Sequence, residues 1–106
     1  MITIHQGESC RIFVSLWQDG VALVPEMIED LKICIGDTFS KTWKQGGVQF
    51  DYGENQWCIF PTQQETLAMK RGKKNVCVHV KYLDGSVIIA EIDSVKILES
   101  CCKEVF

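Results

Sequence analysis

The sequence predicts an all-β protein, an antiparallel β-sandwich of seven to nine strands with one short helix near residues 62–70. Three observations predict it. Short runs of alternating apolar and polar residues recur along the chain, separated by turn signals rich in Gly, Asp and Asn. Two β-branched runs, residues 76–83 and 86–92, flank Asp84-Gly85. That dipeptide suits a type I′ hairpin because both residues tolerate φ > 0. Finally, Thr62-Gln63-Gln64-Glu65 matches a capping box, a helix start in which side chain and backbone cap each other. At 106 residues and 12.0 kDa the chain fits one domain, residues 1–106. A chain of this size buries roughly 65% of its extended surface, enough for one core without disulfide staples.

The elements follow in order. Residues 2–5 read as a first strand, closed by Gln6-Gly7. In residues 10–17, Cys10, Ile12, Val14 and Leu16 share the core face, leaving Arg11, Phe13, Ser15 and Trp17 on the other. Phe13 and Trp17 there require a covering loop or strand, or else form an adhesive patch. Gln18-Asp19-Gly20 is a turn, and residues 21–24 make a brief strand ended by Pro25. An acidic connection over 27–30 leads to a strand with Leu31, Ile33 and Ile35 inward, stopped by Gly36. Residues 38–43 and 48–52 predict a ribbon with Gly46-Gly47 near its tip. Residues 56–60 form another strand after Gly53-Glu54-Asn55.

The helix has Leu67 and Met69 as its apolar anchors and Gly72 as its stop signal. Lys70, Arg71, Lys73 and Lys74 then read as a solvated helix end whose cations favour the helix dipole. In the closing hairpin, Val76, Val78, Val80 and Tyr82 form the core set. Ile88, Ala90 and Ile92 share one parity while Val95 and Ile97 share the other, which implies a bulge near Asp93-Ser94.

Composition excludes several functions. A net charge of -3 and a pI near 5.3 disfavour nucleic-acid binding, whose footprint is basic. No apolar run approaches the ~18 residues of a membrane-spanning helix. The first residues carry neither a basic n-region nor an apolar h-region, so no signal peptide is expected. Of the six cysteines, Cys10, Cys34, Cys58 and Cys77 sit singly within β-like runs, where free thiols act as small hydrophobes. An immunoglobulin-type bridge between Cys10 and Cys77 is disfavoured: Cys10 points inward, whereas Cys77 shares the parity of His79 and Lys81. Cys101-Cys102 reads as a pair of exposed reactive thiols.

No C-x-x-C occurs, and neither His5 nor His79 stands at zinc-ligand spacing from a cysteine pair. Glu29-Asp30 and Glu91 with Asp93 lack the ligand-rich loop that calcium needs. Nothing orients His79 or activates Cys77 as a dyad, and no hydrolase, phosphate-loop or metalloprotease motif is present. The expectation is no enzyme, no cofactor and no metal.

A set of short motifs occurs in a fixed order: residues 4–8 (IHQGE), 17–20 (WQDG), 28–33 (IEDLKI), 61–66 (PTQQET) and 82–85 (YLDG). Together they resemble the N-terminal domain of phage baseplate upper proteins and related tail-associated immunoglobulin-like modules. The resemblance implies an immunoglobulin-like sandwich without catalytic residues. It also implies a structural protein of a phage or prophage particle, an assembly or adaptor module of tail or baseplate type. Such a protein is made in the bacterial cytoplasm and carried in the virion, with protein partners or self-association and neither nucleic acid nor membrane. The chain departs from the group at Glu8, where Asp is common. It also shows no receptor-binding domain after residue 106, which favours an accessory subunit over host recognition. The candidate interface residues are Phe13, Trp17, Trp43 and Trp57. The alternative is a carbohydrate- or peptide-binding module in which Trp43 and Trp57, beside Gly46-Gly47, form a stacking platform. A third class, a thiol redox or metal protein, would rest on Cys101-Cys102.

Overall fold

A computed structural model describes residues 1–100. The described residues are mostly β, with 54% of them in strands and 9% helical. In order, the strands are β1 (Ile2–His5), β2 (Ile12–Val14), β3 (Trp17–Gln18), β4 (Val21–Ala22), β5 (Ile28–Ile35), β6 (Phe39–Thr42), β7 (Val48–Asp51) and β8 (Gln56–Ile59). Helix α1 (Gln63–Ala68) precedes the two long strands, β9 (Gly72–Tyr82) and β10 (Val87–Leu98). That makes ten strands among the described residues, above the seven to nine expected; β3 and β4 are only two residues each.

Three sheets result. The largest has the order β1-β10-β9-β5-β6, the second β2-β8-β7, and β3-β4 is a separate hairpin. The large sheet is mixed, because β1 runs parallel to β10 with Ile4 beside Ile97. This corrects the purely antiparallel expectation. No local turn links β1 to β10, so no hairpin imposes an antiparallel direction, and the register places Ile4 and Ile97 together in the core.

Alternation in β5 and β9 works as the sequence indicates: Leu31, Ile33, Ile35, Val76, Val78 and Val80 are all buried. They form one cluster with Ile12, Val48, Trp57 and Ile59 from the smaller sheet. Trp57 lies at its heart, with Trp43 and Phe50 edge-on at centroid distances of 5.4 and 4.8 Å. Its indole N–H donates to the Leu23 carbonyl at 3.0 Å, so the one polar atom of the ring is satisfied. Burying about 200 Å² of aromatic surface at about 25 cal/mol/Å² gives roughly 5 kcal/mol of transfer free energy.

Two turns differ from expectation. Residues 38–52 are not a ribbon, since β6 pairs with β5 while β7 pairs with β8. The chain changes sheets at Gly46-Gly47, whose amides donate to Trp43 and Thr42 carbonyls at 3.0 Å each. Gly46 takes the left-handed conformation at φ 80°, which favours glycine, and a Cβ on Gly47 would press on the Lys41 side chain at 3.0 Å. At Asp84-Gly85 only Gly85 has positive φ, 90°. The Asp84 carboxylate accepts from the Ser86 N–H and hydroxyl at 2.9 and 2.6 Å, which holds Asp84 on the negative-φ side. Tyr82 and Ser86 then bracket a three-residue loop. The register shift in β10 falls between Glu91 and Asp93, next to the bulge position read from parity.

Helix α1 starts as its sequence dictates. Glu65 N–H donates to Thr62 Oγ1 at 3.2 Å and Thr62 N–H to Glu65 Oε1 at 3.0 Å, a reciprocal capping box. It stops earlier than Gly72 suggests, and no basic residue occupies its last turn. Lys70 and Arg71 lie beyond the helix, while Lys73 and Lys74 open β9, so the expected cationic helix end does not form. Thr66 is fully buried; its hydroxyl donates to the Glu8 carbonyl at 2.7 Å and accepts the Gly7 N–H at 3.0 Å. Gln6 Nε2 donates to the Met69 carbonyl at 2.7 Å. These bonds lash the turn after β1 to the helix.

Candidate interaction surface

The type I′ turn that sequence places at Asp84-Gly85 occurs instead at Asp19-Gly20, where φ is 51° and 78°. Gln18 pairs with Val21 across it, making β3-β4 a tight two-residue hairpin. The hairpin is held at its base by Leu23 N–H donating to the Leu16 carbonyl at 2.8 Å. Tyr82 Oη donates to Gln18 Oε1, tying the hairpin to the end of β9. Between them lies a groove of about 370 Å³ lined by Leu16, Trp17, Val80, Tyr82, Ile88 and Ile92. Trp17 is 64% exposed on its rim, and Val21 and Leu83 are exposed nearby in sequence and on hairpin tips.

The first half of β10 extends this apolar character. Val87, Ile88 and Ile89 are all exposed, Ile89 at 63%. Their side chains alternate between the two faces of the sheet, so both faces are apolar here. β9 covers one side of this half, but β1 pairs with β10 only from Val95 onward. Among the described residues, the other side of residues 87–92 is an unpaired edge.

The candidate interface residues separate in space and in burial. Trp17 lines the groove, whereas Phe13, 50% exposed, sits on β2 opposite Cys58 and outside it. Trp43 is half-buried against Trp57. Trp57 is fully buried, which corrects its reading as an interface residue: its parity matches that of Ile59, and the core takes both. Residues 87–89 were not among the candidates. The signal for them was present, an uncharged run with both parities apolar directly after a hairpin turn.

Elsewhere the chemistry is sparse. Lys70, Lys73 and Lys74 line a second cleft of about 370 Å³ with Asp37, Thr38 and Asn75. Burial pushes the thiols of Cys10, Cys34 and Cys58 above the usual cysteine range, which lowers their thiolate fraction at neutral pH. Cys34 and Cys77 face each other across β5 and β9, and all four described cysteines are free. Cys101 and Cys102 lie outside the described residues. His5 is engaged by Glu8, whose carboxylate also accepts the His5 backbone N–H at 3.0 Å. His79 stands on the sheet face between Lys32 and Ile89. Among the described residues no three His, Cys, Asp or Glu side chains group as metal ligands, and no helix is long and apolar enough to cross a membrane. No protein-family model matches the chain, and no curated protein matches it significantly.

Proposed function

We propose that this protein is a non-enzymatic structural component of a phage or prophage particle, an assembly or adaptor module of tail or baseplate type with an immunoglobulin-like arrangement of its sheets. One observation supports the assembly role: the apolar, half-paired end of β9-β10, where Val87, Ile88 and Ile89 are exposed beside an edge left unpaired among the described residues. Sheet edges in stable monomers are ordinarily blunted by lysine, proline or a covering loop, and residues 86–90 carry no charge and no proline. Exposed strand edges and contiguous apolar patches are the usual means by which β-domains add a protein partner. The phage setting rests on the motif resemblance. In this reading the module binds protein or itself, uses no cofactor and touches neither nucleic acid nor membrane.

The carbohydrate-binding alternative has less support, because its stacking platform needs an exposed Trp57 and the residue has no accessible surface. The test of the proposal is direct. Particles released after induction of the encoding prophage are banded on a density gradient and their proteins measured by mass spectrometry. The chain is expected in the particle band in fixed ratio to tail proteins. Its confinement to the free-protein fraction while particles accumulate would overturn the proposal.

A further inference from the structure

We infer that the free edge of β10 pairs with the same edge of a second copy about a two-fold axis through Ile89. The inference rests on the assembly reading and names its partner. Its starting point is the hydrogen-bond phase of the hairpin. Tyr82 N–H donates to the Ser86 carbonyl at 2.9 Å. Since Val87 is opposite Lys81 and Ile88 opposite Val80, antiparallel alternation turns the backbone groups of Ile88 and Ala90 toward β9. The N–H and C=O groups of Val87, Ile89 and Glu91 therefore point outward, along the edge that β1 leaves open.

One register satisfies all of these groups. With the axis at Ile89, Ile89 meets the partner's Ile89, Val87 meets the partner's Glu91, and Ile88 meets the partner's Ala90. Every outward N–H then finds an outward C=O. A slip by one residue would set outward groups against inward ones, and a larger slip would run into the Asp84-Gly85 turn or the bulge.

The side chains agree with that register. Ile89 packs on the partner's Ile89 on one face, and Ile88 beside the partner's Ala90 continues the apolar groove on the other. Charge agrees as well. Val87 is flanked on β9 by Lys81, so the partner's Glu91 faces Lys81 across a short side chain, twice by symmetry, and joins Glu29, whose carboxylate lies 3.7 Å from the same ammonium. Like charges also approach at the two ends, where Asp84 comes level with the partner's Ser94, next to Asp93. Asp84 there stands in solvent, and the Asp93 carboxylate lies 3.7 Å from the Met1 ammonium, so the repulsion is screened. Each copy then ends against the other where its own β1 begins.

Sedimentation velocity across a concentration series, with backbone amide exchange measured in parallel, tests the pairing. The dimer fraction is expected to rise with concentration. Exchange at Val87, Ile89 and Glu91 should slow in step, while Ile88 and Ala90, bonded to β9, stay unchanged. Ile89→Lys sets two ammonium groups against each other on the axis and should weaken the dimer at least about tenfold. Val21→Lys, on the neighbouring hairpin, should leave it intact. A monomer at every concentration would overturn the inference. Protection independent of concentration would overturn it too, since the edge would then be covered within one chain. Loss of the dimer in the Val21→Lys protein would do the same, because the hairpin patch and not the edge would be the contact. A strict monomer that still bands with phage particles ends the self-pairing while leaving the assembly role standing.

Discussion

The two halves of β10 have opposite fates, and the more apolar half is the exposed one. From Val95 to Ile97 the strand lies between β9 and β1, and Val95 and Ile97 are buried to 0% and 1% exposure. From Val87 to Glu91 it has one neighbour among the described residues, and every residue is exposed, although four consecutive residues are apolar. The covered half alternates, as expected of a strand with one face in the core. The bare half is apolar on both faces, a pattern typical of strands buried on both sides. Burial is thus set by what the rest of the chain lays over a strand, and the bare half carries the composition of a strand covered on both faces.

Truncations on either side of the bulge give the largest contrast. Ile97→Ala removes a core side chain and is expected to cost about 2–5 kcal/mol in urea unfolding. Ile89→Ala, at low protein concentration, should change stability by no more than about 0.5 kcal/mol. Comparable losses at both positions would erase the distinction between the halves.

A smaller effect tests how the covered end is kept closed. Thr66→Val preserves shape but leaves the Glu8 carbonyl and the Gly7 N–H without their hydroxyl partner. The expected loss is about 1–3 kcal/mol, accompanied by faster amide exchange at Gly7 and within β1. An unchanged β1 would show that pairing with β10 alone secures the strand.

Local features of this fold were legible in the sequence and long-range ones were not. The capping box at Thr62 and Glu65, the inward set of β5 and β9, and the bulge in β10 each follow from residues a few positions apart. The parallel placement of β1 and the sheet change at Gly46-Gly47 depend on contacts between distant segments, which periodicity does not encode. The two Asp-Gly pairs make the limit concrete: the same dipeptide forms the type I′ turn at Asp19 but not at Asp84, where Ser86 offers the carboxylate two donors. At the candidate surface, Trp17 is exposed on the groove rim, whereas Trp57, equally aromatic, is buried in the core. The aliphatic run at 87–89 was visible as a strand, but its exposure depends on β1 reaching no further than Val95.

The smallest effect concerns the acid limb of stability at the helix that secures the covered end. Burial raises the Glu65 pKa, but the bonds from Lys41 and from the Thr62 N–H and hydroxyl outweigh it, holding the carboxyl below its ordinary value of 4.5. Lys41 Nζ lies 2.6 Å from Glu65 Oε2, joining α1 to β6. A carboxyl with a lower pKa folded than unfolded adds stability that is complete above the unfolded value and disappears as pH falls through the folded one. Glu65→Gln keeps an acceptor for the Thr62 N–H but loses the ion pair with Lys41. The variant should therefore be less stable than the parent at neutral pH, and the gap should close as the solution is acidified below about pH 4. Urea midpoints measured along that pH series decide the matter. A gap that persists undiminished in acid would mean that the glutamate acts through packing, and that the link between helix and β6 is not ionic.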